Sequence, residues 1–141
     1  MLKGIDPIIS PELIKILMEM GHGDELCIGD GNFPAASFAK RLVRLDGHGV
    51  SEVLDAILRL YPLDTYVDCP VTLMEIVPGD DVVPVIWDEY ERIIRAREGD
   101  KKIEHVERFA FYERAKKCYA VVATGESALY ANIIIKKGVV K

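Results

Sequence analysis

The sequence predicts an α/β fold, a single domain over residues 1–141 with helices packed on a mixed central sheet. Three observations lead there. Segments with apolar residues at helical spacing alternate along the chain with short apolar runs of strand type. Punctuation such as Ser-Pro, Gly-Asp-Gly, Pro-Gly-Asp and Glu-Gly-Asp separates them. The length suits one buried core, and no internal repeat, low-complexity tract or linker divides it.

The first element opens at Ile9-Ser10-Pro11-Glu12. Ser10 is placed to cap a helix, Pro11 fits its first position, and Glu12 complements the positive end of its dipole. Ile9 and Ile14 are spaced for a hydrophobic staple across the cap. Leu13, Ile16, Leu17 and Met20 form one apolar face, and Gly21 is the expected left-handed stop. A short strand follows over 24–28 and ends at Gly29-Asp30-Gly31, after which Asn32-Phe33-Pro34 begins a loop.

Residues 41–45 alternate like a second strand, and Asp46-Gly47-His48-Gly49 turns the chain. Ser51 is expected to cap a helix carrying Val53, Leu54, Ile57, Leu58 and Tyr61, closed by Pro62. Irregular chain over 66–70 leads to a strand over 71–77, stopped by Pro78-Gly79-Asp80. The spacing of Trp87, Tyr90, Ile93 and Ile94 predicts a helix over 84–97. A brief strand at 102–106, a helix at 109–118, a buried-type strand at 119–124 and a last strand at 131–136 complete the chain.

Composition narrows the function classes. Half of the residues are hydrophobic and 29% are charged, so the chain is globular. A net charge of −5 and no basic stripe interleaved with aromatics argue against a nucleic-acid partner. The mean hydropathy of +0.12 is high for a small monomer and predicts a homo-oligomer. Cys27, Cys69 and Cys118 are widely spaced in apolar surroundings and read as buried free thiols of a reducing compartment. With no signal core and no run of transmembrane length, the expected location is the cytoplasm, away from any membrane.

Chemistry concentrates in residues 20–34, M-G-H-G-D-E-L-C-I-G-D-G-N-F-P. His22 lies between glycines just past a predicted helix end. A lone histidine there is ordinarily structural. Its flexible neighbours admit a ligand, however, and the helix terminus with Asp24, Glu25 and Asp30 would favour the imidazolium that a general acid needs. Asp30 suits a turn. It also ends a buried-type strand, where ligands of α/β sheets bind. The His22–Asp30 spacing fits no zinc pattern and lacks a third ligand, so no metal is expected. Phosphate-binding and activated-serine motifs are absent, and no cofactor is expected. His48 reads as a loop residue, and His105, in a strand of alternating charge, as facing solvent. Arg108, Tyr130 and Asn132 form a second polar set in the last third, suited with an aspartate to several adjacent hydroxyls, as in a sugar site.

At these residues the sequence resembles the ribose pyranase and fucose mutarotase family, specifically its fucose mutarotase branch. The resemblance covers nearly the whole chain. It is densest in I-S-P-E-L-I-K-I-L-M-E-M-G-H-G-D-E, G-D-G-N-F-P-A, R-F-A-F-Y-E-R-A-K-K and T-G-E-S-A-L-Y-A-N-I-I-I-K-K-G-V. It implies that His22 is the proton donor, that Asp30 binds the sugar, and that Tyr130 and Asn132 do so in a Y-x-N segment. Arg108 stands where the fucose branch has arginine and the ribose branch histidine, whereas Asn32 stands where some fucose-type members carry histidine. It also implies ring-shaped pentamers or decamers with sites at subunit boundaries.

The implied reaction interconverts the α and β anomers of a monosaccharide, L-fucose, through the open-chain aldehyde. It needs one proton delivered to the ring oxygen and one removed from the anomeric hydroxyl. His22 is the expected principal acid/base, and Tyr112 or Tyr119 a candidate second proton carrier. Two rivals follow: a D-ribose pyranase, against which Arg108 argues, and a sugar-binding or regulatory module that turns nothing over.

Overall fold

The structure, a computed structural model, describes residues 1–141. In chain order the elements are α1 (Pro11–Glu19), β1 (Glu25–Gly29), α2 (Ala35–Phe38), β2 (Leu42–Leu45), α3 (Val50–Leu58) and β3 (Val71–Met74). They continue with α4 (Ile86–Glu98), β4 (Ile103–Val106), α5 (Arg108–Lys117), β5 (Ala120–Thr124) and β6 (Ile133–Lys136). The alternating α/β plan expected from the sequence is present.

Six strands form one sheet in the order β2-β5-β1-β6-β3-β4. The pairs β1–β5, β2–β5 and β3–β4 are parallel, while β6 runs antiparallel to β1 and β3 on either side of it. The sheet is therefore mixed in one strand only. Five strands end at one rim and β6 begins there, with Ile133 opposite both Ile28 and Leu73.

Burial on both faces explains the nearly unbroken apolar strands. Leu26 and Ile28 of β1 join Ile133 and Ile135 of β6 under α1, α3 and α4, in a core that includes Leu13, Leu54, Ile57 and Tyr90. The alternate residues Cys27 and Ile134 face the other way and meet Phe33, Phe111, Ala115 and Cys118, from the α2 and α5 side. Cys27 and Cys118 are buried free thiols, and Cys69 is half-buried. No helix is long and apolar enough to cross a membrane.

Local signals decide most boundaries. Ser10 Oγ accepts from Leu13 N–H at 3.1 Å, and Pro11 opens α1 as expected. At the other end of α1, Gly21 is not left-handed; Gly23 is, with φ 87°. Met20 leaves the helix in an extended conformation, and Lys137 Nζ donates to the carbonyls of Leu17 and Met20. An ammonium from the far end of the chain thus satisfies carbonyls that the sequence had assigned to a glycine stop.

Further boundaries differ: the strand expected over 71–77 ends at Met74, and α3 ends at Leu58, before Tyr61. Ser51 lies inside α3 rather than capping it, and donates to Glu89 Oε2 at 2.6 Å. The helix starts instead at Gly49, where Glu52 accepts from the Gly49 N–H and Glu126 from the Val50 N–H. The loop after Asn32 contains the four-residue α2, too short to leave a periodic signal.

Candidate functional site

A cleft of about 220 Å³ opens at the rim where five strands end, the usual place for a ligand on such a sheet. That is smaller than the roughly 300–1,000 Å³ of pockets for drug-sized ligands, a size for one small polar molecule. Asp30, Arg108, Tyr112, Tyr130 and Asn132 all line it. Residues from three separate stretches of sequence are thus brought together.

Asp30 leaves β1 buried, and its Oδ1 accepts from Asn32 N–H at 2.9 Å. Burial raises its pKa above the usual carboxylate range, and hydrogen bonds from the backbone at Asn32, Ala131 and Phe33 offset only part of that. The Asp30 N–H donates to Asn132 Oδ1 at 2.8 Å, so the carboxamide oxygen is taken and its NH₂ remains to donate to a ligand. Asn32 lines the same wall. Phe33 packs directly over Gly29, where an added Cβ would lie 2.6 Å from the Phe33 ring, so β1 must end in a glycine.

The opposite wall comes from α5 and from the turn before β6. Arg108 sits in the first turn of α5, where a cation opposes the helix dipole, and it makes no ion pair. Glu107 offsets the conflict by accepting from the Phe109 and Ala110 N–H groups. A residue placed against its local preference and left exposed is available for a ligand. One turn on, Tyr112 packs edge-on to Phe33, Phe38 and Phe109, with no hydrogen-bond partner for its hydroxyl within the chain.

Tyr130 adopts φ 57°, a left-handed conformation that costs a non-glycine residue roughly 1–2 kcal/mol. Helix α4 holds it there. Trp87 Nε1–H donates to the Tyr130 carbonyl at 2.8 Å, and the buried Tyr90 hydroxyl donates to the Ala131 carbonyl at 2.6 Å. The Tyr130 hydroxyl donates to Asp80 Oδ2 at 2.6 Å and accepts from Val77 N–H at 3.2 Å.

His22 is not in this cleft. It precedes β1 while Asp30 follows it, and that strand alone spans roughly 13 Å. The carboxylates expected beside it are engaged elsewhere: Asp24 accepts from Gly21 N–H, Glu25 pairs with Arg114 at 2.7 Å, and Asp30 lies at the other rim. Its partner is Asp64, whose Oδ1 lies 3.0 Å from His22 Nε2. Asp64 is 2% exposed, while the His22 side chain is 45% exposed. Burial raises the Asp64 pKa, but hydrogen bonds from the Tyr66 N–H and His22, with the charges of His22 and Lys136, outweigh it and hold the carboxyl below its ordinary range. Tyr66 also stacks beside the imidazole, ring centroids 5.1 Å apart.

Tyr119 also lies outside the cleft, before β5. Its hydroxyl donates to Glu19 at 2.8 Å and Arg41 covers its ring, so its proton is engaged at the rim opposite the cleft. His48 is turned to Glu52, and the exposed His105 stacks on Trp87. No three His, Cys, Asp or Glu side chains group closely enough to hold a metal ion.

Residues 3–140 match the RbsD / FucU transport protein family. The chain belongs to that family. It is 54% identical over 140 residues to an L-fucose mutarotase of Actinobacillus pleuropneumoniae serotype 5b, covering 99% of this chain and 97% of the relative. It is 49% identical over 144 residues to the fucose mutarotase of Homo sapiens, covering 98% and 94%. The crystal structure of the fucose mutarotase from Streptococcus pneumoniae in complex with L-fucose superimposes with a TM-score of 0.95 at 55% identity, covering 99% of this chain and all of the other. The family match spans both the His22–Asp64 rim and the cleft.

Sequence reasoning missed Asp64, Asp80, Trp87 and Tyr90. Pro62-Leu63-Asp64-Thr65-Tyr66 does carry a turn signal, since Asp64 Oδ1 accepts from Tyr66 N–H at 3.1 Å. Its pairing with a histidine 42 residues away leaves no trace in local pattern.

Proposed function

We propose that this chain is an L-fucose mutarotase, an isomerase that interconverts the α and β anomers of L-fucose. The observation that carries this is the cleft, which joins Asp30, Arg108, Tyr130 and Asn132 in a chain whose relatives of the same fold and length are fucose mutarotases. Asn132 offers an N–H donor, Arg108 an unpaired guanidinium and Asp30 a carboxylate, a set that meets hydroxyls on both sides of a sugar ring.

The protein's part in the chemistry is proton transfer alone. Opening the ring breaks the bond between the anomeric carbon and the ring oxygen; that oxygen gains a proton and the anomeric hydroxyl loses one. The aldehyde rotates, and closure on its other face reverses both transfers. We assign the donor to His22. The deprotonated Asp64 can only accept, so His22 Nε2 carries the proton between them and Nδ1 is the nitrogen that exchanges with the sugar. Tyr112, with its unpartnered hydroxyl in the cleft, is the second carrier.

Because His22 and the cleft lie at opposite rims of one chain, we assign each site to two copies, one supplying His22 and Asp64 and another the cleft. Exposed apolar side chains support the association: Met18 on α1, Leu129 in the cleft wall, Phe109 beside Arg108, and Val83 and Val85 on the loop after Asp80. A ring of five copies, or two such rings, repeats this contact with no free end. The cytoplasm is the proposed location.

Magnetisation-exchange NMR on α- and β-L-fucose, with D-ribose in a parallel sample and no cofactor added, tests the assignment. Accelerated fucose exchange exceeding any effect on ribose is expected. Saturable fucose binding without acceleration would make the chain a binding module, and preferential action on ribose would make it a pyranase.

A further inference from the structure

Asp80 has no part in the proton transfers above, yet it holds the one sugar-facing residue with a left-handed backbone. We propose that Asp80 is a positioning residue that fixes the Tyr130 phenol as a hydrogen-bond acceptor toward the sugar and so helps select which hydroxyl it meets. The inference rests on the reading of this cleft as a sugar site.

A phenol has one proton and two lone pairs. The Tyr130 proton goes to Asp80 Oδ2 at 2.6 Å, the short distance of a charge-assisted bond. One lone pair takes the Val77 N–H at 3.2 Å. What remains is a single lone pair on an oxygen in the cleft wall, able only to accept. The neighbouring Asn132 NH₂ and Arg108 can only donate. A sugar hydroxyl does both, so fixing each wall group as donor or acceptor fixes the orientation of every hydroxyl it touches.

Asp80 is itself held in place. Gly79, at φ 91°, turns the chain after Pro78, and Asp80 Oδ1 accepts from Val82 N–H at 3.1 Å. From the other side, Trp87 clamps the Tyr130 carbonyl, so the tyrosine is tied at its backbone to α4 and at its hydroxyl to the segment between β3 and α4. While the carboxylate is present, the phenol proton is directed to it and away from a ligand. The mutual shifts agree: the bond to Tyr130 holds Asp80 below the usual carboxylate range, and the bond to Asp80 raises Tyr130.

Asp80→Asn is the informative variant. Its Oδ1 still accepts from Val82 N–H, so the turn survives. Its NH₂, facing Tyr130, donates where the carboxylate accepted and frees the phenol proton to point into the cleft. The expected result is a KM for L-fucose raised about 5- to 10-fold, the worth of one hydrogen bond, with kcat within about twofold. Tyr130→Phe should show the same loss, and adding Asp80→Asn to it should cost nothing more. An unmoved KM in Asp80→Asn, or losses that multiply in the double variant, overturns the proposal while wild-type turnover stands. If the wild-type protein does not accelerate fucose exchange at all, the parent reading fails and this one with it.

Discussion

His22 Nε2 and the buried Asp64 Oδ1 lie 3.0 Å apart, and this pair stands at the opposite end of β1 from Asp30. An exposed imidazole anchored by a buried carboxylate has one ring nitrogen fixed and the other free. A carboxylate in that position favours one tautomer and one ring orientation of its histidine.

Replacing Asp64 should therefore slow the chemical step without removing the sugar site. Asp64→Asn is expected to lower kcat on the order of 10- to 10²-fold with KM little changed, a share of the roughly 10²–10⁴-fold that acid–base catalysis supplies. Anomer-exchange rates against fucose concentration check this. A raised KM at unchanged kcat would place Asp64 in binding instead.

The two buried carboxylates should respond to pH with opposite sign. Asp64 titrates below its unfolded value, so it adds stability above about pH 4 that is lost as pH falls through its folded pKa. Asp30 titrates above its unfolded value, so it adds no penalty below about pH 4, a growing one as pH rises from there to its folded pKa, and a constant one above it. Asp30→Asn keeps the acceptor for Asn32 N–H and removes that penalty. At neutral pH it should raise the Tm while lowering kcat/KM, the trade-off expected of a strained binding group. Thermal melts at several pH values measure both; a lowered Tm for Asp30→Asn at pH 7 would contradict the sign.

Lys137 should matter for stability more than for turnover. Its ammonium meets the Leu17 and Met20 carbonyls at the end of α1. Lys137→Met should cost about 1–2 kcal/mol in urea unfolding. No loss would show that water satisfies the helix end equally well.

What could be read in the sequence was what is local. Ser10-Pro11-Glu12 specifies the start of α1 through bonds within four residues, and the apolar runs of β1 and β5 reflect burial on both faces. Asp30 stood out because it ends a buried-type strand at the rim of an α/β sheet, whereas Arg108, Tyr130 and Asn132 stood out as a polar set whose roles the family resemblance implied. What escaped was tertiary. Lys137 capping α1, Asp64 reaching His22 and Trp87 holding Tyr130 each pair residues more than 40 positions apart. Gly21 and Gly23 are equally able to turn left-handed, and only the path into β1 selects Gly23. The gap between His22 and the cleft has the same origin. A strand has two ends, and β1 holds these two residues apart within its own chain.

Mixing two inactive variants tests the shared site most directly. His22→Ala lacks the acid but keeps the cleft; Asn132→Ala keeps the acid but loses a cleft wall. Unfolded together and reassembled in equal amounts, they should recover about one quarter of wild-type exchange activity on L-fucose, because random pairing around a ring makes about one site in four intact. A mixture no more active than its separate components would show that a single chain must supply both halves, and would contradict the account.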